Sequence, residues 1–348
     1  MGFDHSHYMP IMKAKAGEFW ALAHLKPTTK PLVTPLFELV PHDAKKTTFD
    51  ADSSKKIDGV AECWQRPFFF DVRHIAPKGS LPDATTVSSV FKKIRARDMH
   101  GIPVTRIGYS QKFQESVREI IKSDAKGAMI RLATSDLAIK DKLQTALANL
   151  CSFLGINEGN IDLLIDYEFR KPDDYEDLLV LQALHLTKIP NIQKWRTVTV
   201  ASASFPESIK DLPDGEWIPL DRTEWKSWEH LIKADGTARK PAYGDYGIRH
   251  PSLPGFGQPK PNLRYTIADG YLCRRDEAKH AAIKEICRSL IKKNEYKGPD
   301  FSDGDQAISK TAANQGSGGT GGGKEWTQWC SNHHVEFVAT QIQSLPSA

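Results

Sequence analysis

Asp166 and Glu168 stand two residues apart at the end of the apolar run Ile161–Arg170, IDLLIDYEFR. Alternate side chains of a strand share a face, so both carboxylates would project from one side of a sheet edge. Other short apolar runs also finish in charged residues. They add Glu38 and Asp71, and Glu38, Asp71, Asp166 and Glu168 form the candidate catalytic set. Carboxylate oxygens grouped in this way suit a hard cation such as Mg²⁺, although the sequence assigns no metal. Two carboxylates whose neighbours drive their pKa values apart would instead serve as general acid and general base.

The run ends also supply cations. Lys13, Lys15, Arg73, Arg106, Arg131 and Arg249, with Asp245 and Ser204, make up the candidate ligand-binding set. A guanidinium presents a planar fork that fits phosphate or carboxylate bidentately. Acids and arginines in one pocket would suit metal-assisted phosphoester chemistry on a phosphorylated or anionic, nucleotide-like small molecule. Arginine–carboxylate pairs in a salt-bridged rim would account for the same residues, so catalysis itself stays open.

Ser202 and Ser204 lie outside any GxSxG elbow, which argues against a serine hydrolase. His333 and His334 are adjacent and cannot share a metal as an i, i+4 helical pair could; a capping or loop role is expected for them. The stretch GSGGTGGG at 316–323 lacks the Lys-Ser/Thr ending of a P-loop and reads as a linker or mobile lid.

These residues need a frame that gathers strand ends. Eight strand-like runs alternate with helix-like ones: Tyr8–Ala14, Pro31–Pro41, Pro67–Ile75, Ile102–Gly108, Ala128–Ala133, Ile161–Arg170, Arg196–Phe205 and Pro241–His250. In the third, Asp71 and Arg73 share a face; the eighth carries Asp245 and Arg249. The alternation predicts an α/β fold, a closed parallel (β/α)8 barrel over residues 1–255, with its site at the C-terminal strand ends. An open doubly wound sheet is the alternative, but no GxGxxG follows the first strand. Trp217–Ala234 is expected to be one helix, with Trp217, Trp225 and Trp228 at helical spacing in a core or interface.

Residues 256–348 read as an extension. A hairpin over Leu263–Arg275 would turn at Ala268-Asp269-Gly270. A helix over Glu277–Lys293, a flexible polar loop over 298–324 and a final helix, Lys324–Ile342, docking back on the barrel would follow.

At 348 residues, 40% hydrophobic and 26% charged, the chain has globular composition and can bury a large core. A net charge of +4 with no continuous basic stripe gives no support for nucleic acid as a partner. Five scattered cysteines without a CxxC pair read as reduced thiols. No signal-peptide pattern is present and no apolar run approaches the roughly 20 residues of a membrane span. The expectation is a cytoplasmic protein.

Several stretches, in order, carry a family likeness: YMPIMKAKAGEFWAL, PLFEL, SFPESI, YGDYGIRHP, LRYT and the terminal NHHVEFV. Together they resemble the "beta protein" family of phages, satellite phages and bacteria, over nearly the whole chain. The resemblance implies a tie to phages or mobile elements, some relatives looking like parts of anti-phage loci, and it implies no reaction. Lys13, Lys15, Gly17, Glu18, Glu38, Ser204, Asp245, Arg249 and His333-His334 fall in the family-like stretches. Two functions are therefore expected in competition. One is a barrel that binds or acts on a phosphorylated ligand in phage–host conflict. The other is a non-catalytic immunity or interaction protein that recognises a phage or toxin protein.

Overall fold

Strands covered on both faces read as nearly unbroken apolar runs, and a ring of them must tilt and close to bury both faces. In a computed structural model, which describes residues 2–76, 81–172, 174–253, 260–277, 282–314 and 321–345, eight parallel strands close such a barrel. They are β1 (Tyr8–Lys13), β2 (Leu36–Glu38), β3 (Phe68–Asp71), β4 (Gly101–Thr105), β5 (Ala128–Ala133), β6 (Ile161–Phe169) and β7 (Thr197–Ala203). The eighth, after the separate strand β8 (Ile218–Asp221), is β9 (Ala242–Asp245). β9 pairs with β7 on one side and β1 on the other, which seals the ring.

The crossovers carry α1 (Ala16–Ala23), α2 (Phe49–Cys63), α3 (Ala84–Arg95), α4 (Gln111–Asp124), α5 (Lys140–Leu154), α6 (Tyr175–Lys188) and α7 (Thr223–Lys233). Thr48, Asp83 and Ser110 cap α2, α3 and α4 by accepting a backbone N–H of the first turn. Strand parity sorts the core. Met9, Ile11, Leu36, Phe69, Val104 and Leu164 belong to an inner cluster, whereas Tyr8, Phe37, Phe68, Phe70 and Tyr243 join the cluster shared with the helices.

Residues 218–221 are a strand, not the start of a helix. Pro219 disfavours helical backbone at Ile218, and β11 offers a free edge. β10 (Asn262–Thr266), β11 (Gly270–Arg275) and β8 form an antiparallel sheet in the order β10-β11-β8. Trp225 and Trp228 sit in α7 and pack on Tyr243. The third barrel strand ends at Asp71, and Arg73–Ile75 form a 3-10 turn beyond it.

After α8 (Ala282–Leu290), the polar stretch expected to be a flexible loop holds α9 (Asp303–Ala312). Ser302 caps it by accepting from the Asp305 N–H at 3.0 Å while its hydroxyl donates to Asp305 Oδ2 at 2.6 Å. Of the glycine-rich stretch, residues 316–320 lie outside the described residues. α10 (Gly323–Gln343) then runs over the β1–β9 seam, buried on nearly every side. A Cβ on Gly304 would come within 2.1 Å of the Trp329 carbonyl oxygen, so only glycine lets α9 lie this close to α10. Asn332 accepts from Gly304 N at 2.8 Å and donates to the carbonyls of Ala21 and His24, tying α10 to α9 and α1 together. Among the described residues no helix is long and apolar enough to cross a membrane.

Candidate functional site

The inner face of the barrel changes character at the strand ends. Below lie apolar layers; above them Lys13, Glu38, Asp71, Arg131 and Asp166 form a charged layer, none more than 3% exposed. Arg131 is its hub. Its Nε donates to Asp166 at 2.9 Å, Nη1 to Glu38 at 2.8 Å and Asp71 at 2.7 Å, and Nη2 to Asp166 and the Tyr246 hydroxyl at 2.7 Å each. All five guanidinium hydrogens are thereby used. Tyr246 donates in turn to Asp166 at 2.8 Å.

Lys13 is also saturated. Its ammonium contacts Glu38, the Pro251 carbonyl at 2.7 Å and His74 Nε2 at 3.1 Å. Arg73 covers the layer, with Nε 3.0 Å from Glu38 Oε1 and Nη1 3.5 Å from Asp166 and 3.1 Å from Glu168. Three buried carboxylates thus face three cations, Lys13, Arg73 and Arg131. Buried charges persist only when paired and hydrogen-bonded in this way.

Burial alone would raise the pKa of Glu38, but Arg73, Lys13 and Arg131 outweigh it and hold that carboxyl well below its ordinary range. Asp166 is likewise lowered, burial being overcome by Arg131 and Arg73. Both groups stay ionised near neutrality, and neither has a proton to donate as a general acid. The position that a metal ion would take among these three carboxylates is filled by the Arg131 guanidinium. Among the described residues no group of three or more His, Cys, Asp or Glu is arranged to hold a metal.

The other candidates lie elsewhere. Asp245 points out of the barrel wall: it accepts from Tyr8 at 2.5 Å and Gly247 N at 2.9 Å, and lies 3.0 Å from His334 Nε2. Ser204 holds β8 and α7 in place, its N–H donating to Glu224 at 2.9 Å and its hydroxyl to the Asp221 carbonyl at 2.6 Å. Lys15 precedes α1, and Arg249 pairs with Glu18 at 2.8 Å. His333 and His334 sit mid-helix in α10, not in a cap or loop. His333 Nδ1 lies 2.8 Å from Asp305, and His334 Nδ1 lies 2.8 Å from the Thr266 hydroxyl. All five cysteines are free thiols.

Arg106 is different. It follows the end of β4 at the mouth, and its buried Nε and Nη2 have no acceptor among the described residues. Arg131 lies within β5, Arg106 directly follows the end of β4, and Arg73 lies in the 3-10 turn beyond β3, so the three arginines come from three successive strand–loop units at the mouth. Beside this layer a crevice of about 20 Å³, bounded by Lys13, Glu18, Tyr246 and Arg249, has room for little more than one water. That crevice is too small for an organic ligand.

Four histidines, His185 and His334 buried and His7 and His74 half-buried, set an acid limit on stability. Burial lowers the pKa of His74 and His334, against the pull of Glu38 and Asp245, and carries His7 and His185 down to about 4. Unfolded histidines titrate near about 6.5. The unfolded chain therefore binds more protons in this window, and stability is full above about 6.5 and falls as pH drops towards about 4. Asp162, Glu224 and Glu336, raised by burial, oppose the decline at its acid end. Urea midpoints should be level at neutral pH and decline from about pH 6.5; a flat profile down to about pH 4.5 would contradict neutral buried histidines.

A ring of eight parallel strands with helical crossovers and a charged C-terminal mouth is a (β/α)8, or TIM-type, barrel. The Beta protein family matches residues 8–340, nearly the whole chain, and the chain belongs to that family. Among solved structures, it is similar to a type I 3-dehydroquinate dehydratase from Clostridium difficile. That likeness has a TM-score of 0.45 and 10% identity, covering 73% of this chain and 89% of the other. A triosephosphate isomerase from Bartonella henselae aligns with TM-score 0.35 and 11% identity, covering 68% and 91%. No curated protein matches the chain.

Proposed function

We propose that the barrel mouth binds a phosphorylated or otherwise anionic ligand through Arg106 and Arg73, above a charged layer that serves as scaffold. The observation that carries this reading is Arg106, a guanidinium with two buried nitrogens and no acceptor among the described residues. An unsatisfied buried donor costs about 1–3 kcal/mol, a cost that an anion's oxygens would remove. Arg131 and Lys13 have no donor left to offer, and Glu38, Asp71 and Asp166 are each committed to Arg131. The arrangement therefore favours binding over metal-assisted phosphoester turnover. A nucleotide-like ligand in phage–host conflict fits the family resemblance and the arginines alike.

The test is thermal melting of the protein and of Arg106→Leu against a panel of nucleotides and inorganic phosphates. A ligand at 100 times its Kd stabilises the fold by about 2.7 kcal/mol. The Leu variant should melt no lower than the parent without ligand, because it loses unsatisfied donors, yet bind at least about tenfold more weakly. A fully paired layer needs no ligand to neutralise it, which favours the second reading, a non-catalytic protein that recognises a phage or toxin partner. Absence of any ligand shift would move the weight to that reading.

A further inference from the structure

β6 does not end smoothly. Its register against β7 shifts between Asp166 and Phe169, and Glu168, within the bulge, has φ +52°. That left-handed backbone is uncommon for a residue other than glycine. The bulge is fixed by the Glu168 N–H donating to Asp166 Oδ1 at 2.9 Å. Strain of this kind clusters where a side chain must be aimed. Here it aims a carboxylate at Arg73 Nη1, 3.1 Å away, while leaving that carboxylate 57% exposed.

Charge balance does not require this contact. Within the hydrogen-bonded layer Glu38, Asp71 and Asp166 already match Lys13, Arg73 and Arg131, so Glu168 is a fourth carboxylate there, and the further cation at the mouth, Arg106, is not bonded to it through Nε or Nη2. We infer that Glu168 is a displaceable internal anion that occupies Arg73 until a ligand replaces it, and that it restricts the mouth to dianions such as phosphate monoesters. This rests on the anion-binding reading above. A tethered carboxylate competes at an effective concentration of about millimolar or more. A free monocarboxylate would exchange like for like and gain nothing. A phosphate monoester brings a charge of about −1.5 to −2 and three acceptor oxygens, enough to bond more than one guanidinium at once.

The experiment is calorimetric titration of the full chain, of Glu168→Gln and of Glu168→Gly with glycerol phosphate and with glycerate. Glycine suits φ +52° and keeps the bulge, so it covers the case in which Gln disturbs folding. The expected result is that the parent binds glycerol phosphate and not glycerate, and that both variants bind glycerol phosphate about tenfold more tightly and begin to bind glycerate. Glycerol phosphate binding that neither variant tightens would overturn the displaceable anion while leaving the anion site standing. Binding by the variants alone would support it. No binding by any of the three, with the fold intact, would overturn both.

Discussion

Replacing Arg131 with methionine is expected to cost about 3–5 kcal/mol at neutral pH, a large share of the roughly 5–15 kcal/mol that holds a domain together. The substitution keeps volume but leaves Glu38, Asp71 and Asp166 buried around an apolar side chain. The loss should shrink on acidification. In the parent, Glu38 and Asp166 have pKa values below the ordinary range, so their contribution is present above about pH 4 and lost as pH falls through their folded values. Without Arg131, Asp166 loses the larger of the two cations that offset its burial, so its carboxyl shifts upward and protonation costs the fold less, while Glu38 keeps Arg73 and Lys13. Urea denaturation of parent and variant at about pH 7 and pH 5 reads this directly. A variant that loses as much at pH 5 as at pH 7 would sink the hub assignment.

A chain ended after Gly322 should not form a barrel with a cooperative melt. α10 buries Trp326, Val335, Val338 and Ile342 and supplies His334 to Asp245 and His333 to Asp305. Its removal would expose both the outer wall at the β1–β9 seam and the face of the β10-β11-β8 sheet. Each large apolar side chain is worth about 1.5–3 kcal/mol when fully buried, and several are lost at once. Dye binding, proteolysis and near-UV circular dichroism of the shortened chain should report a loosely packed state. A sharp thermal transition with native near-UV signal would show instead that the helix is an accessory.

The barrel was legible because its strands are apolar and its helices polar, and because the two alternate regularly. The acids at the ends of the second, third and sixth runs were legible for a related reason: a charge inside an apolar run has few places to go but the mouth. Asp245 broke that rule. β9 is short and buried on both faces, so AYGD offers no polar–apolar alternation to show that Gly244 faces in and Asp245 out. Counting on from Gly244 would have placed Tyr246 in the mouth, yet a tyrosine reads as core. His74 was missed similarly, because it lies beyond the strand in a turn whose course the sequence does not fix. α9 left a signal, the Ser302–Asp305 spacing of a capped helix, that its polar composition hid. The partners of His333 and His334 could not be read, since they are distant in sequence.

The seam where β1 meets β9 has a consequence in time. Tyr8 opens β1, and its hydroxyl partners are Asp245, 237 positions further along the chain, and His334, 326 positions further. Such long-range closure is slow and comes late. A nascent chain can assemble most of its strand–helix units in order, but the β1–β9 seam lacks its His334 contacts until α10 has been made. Until then the open edge of β1 is available to any other strand. Translation speed over the stretch that encodes α10, and the chaperones present at that moment, would thus bear on yield alongside the equilibrium stability of the finished barrel.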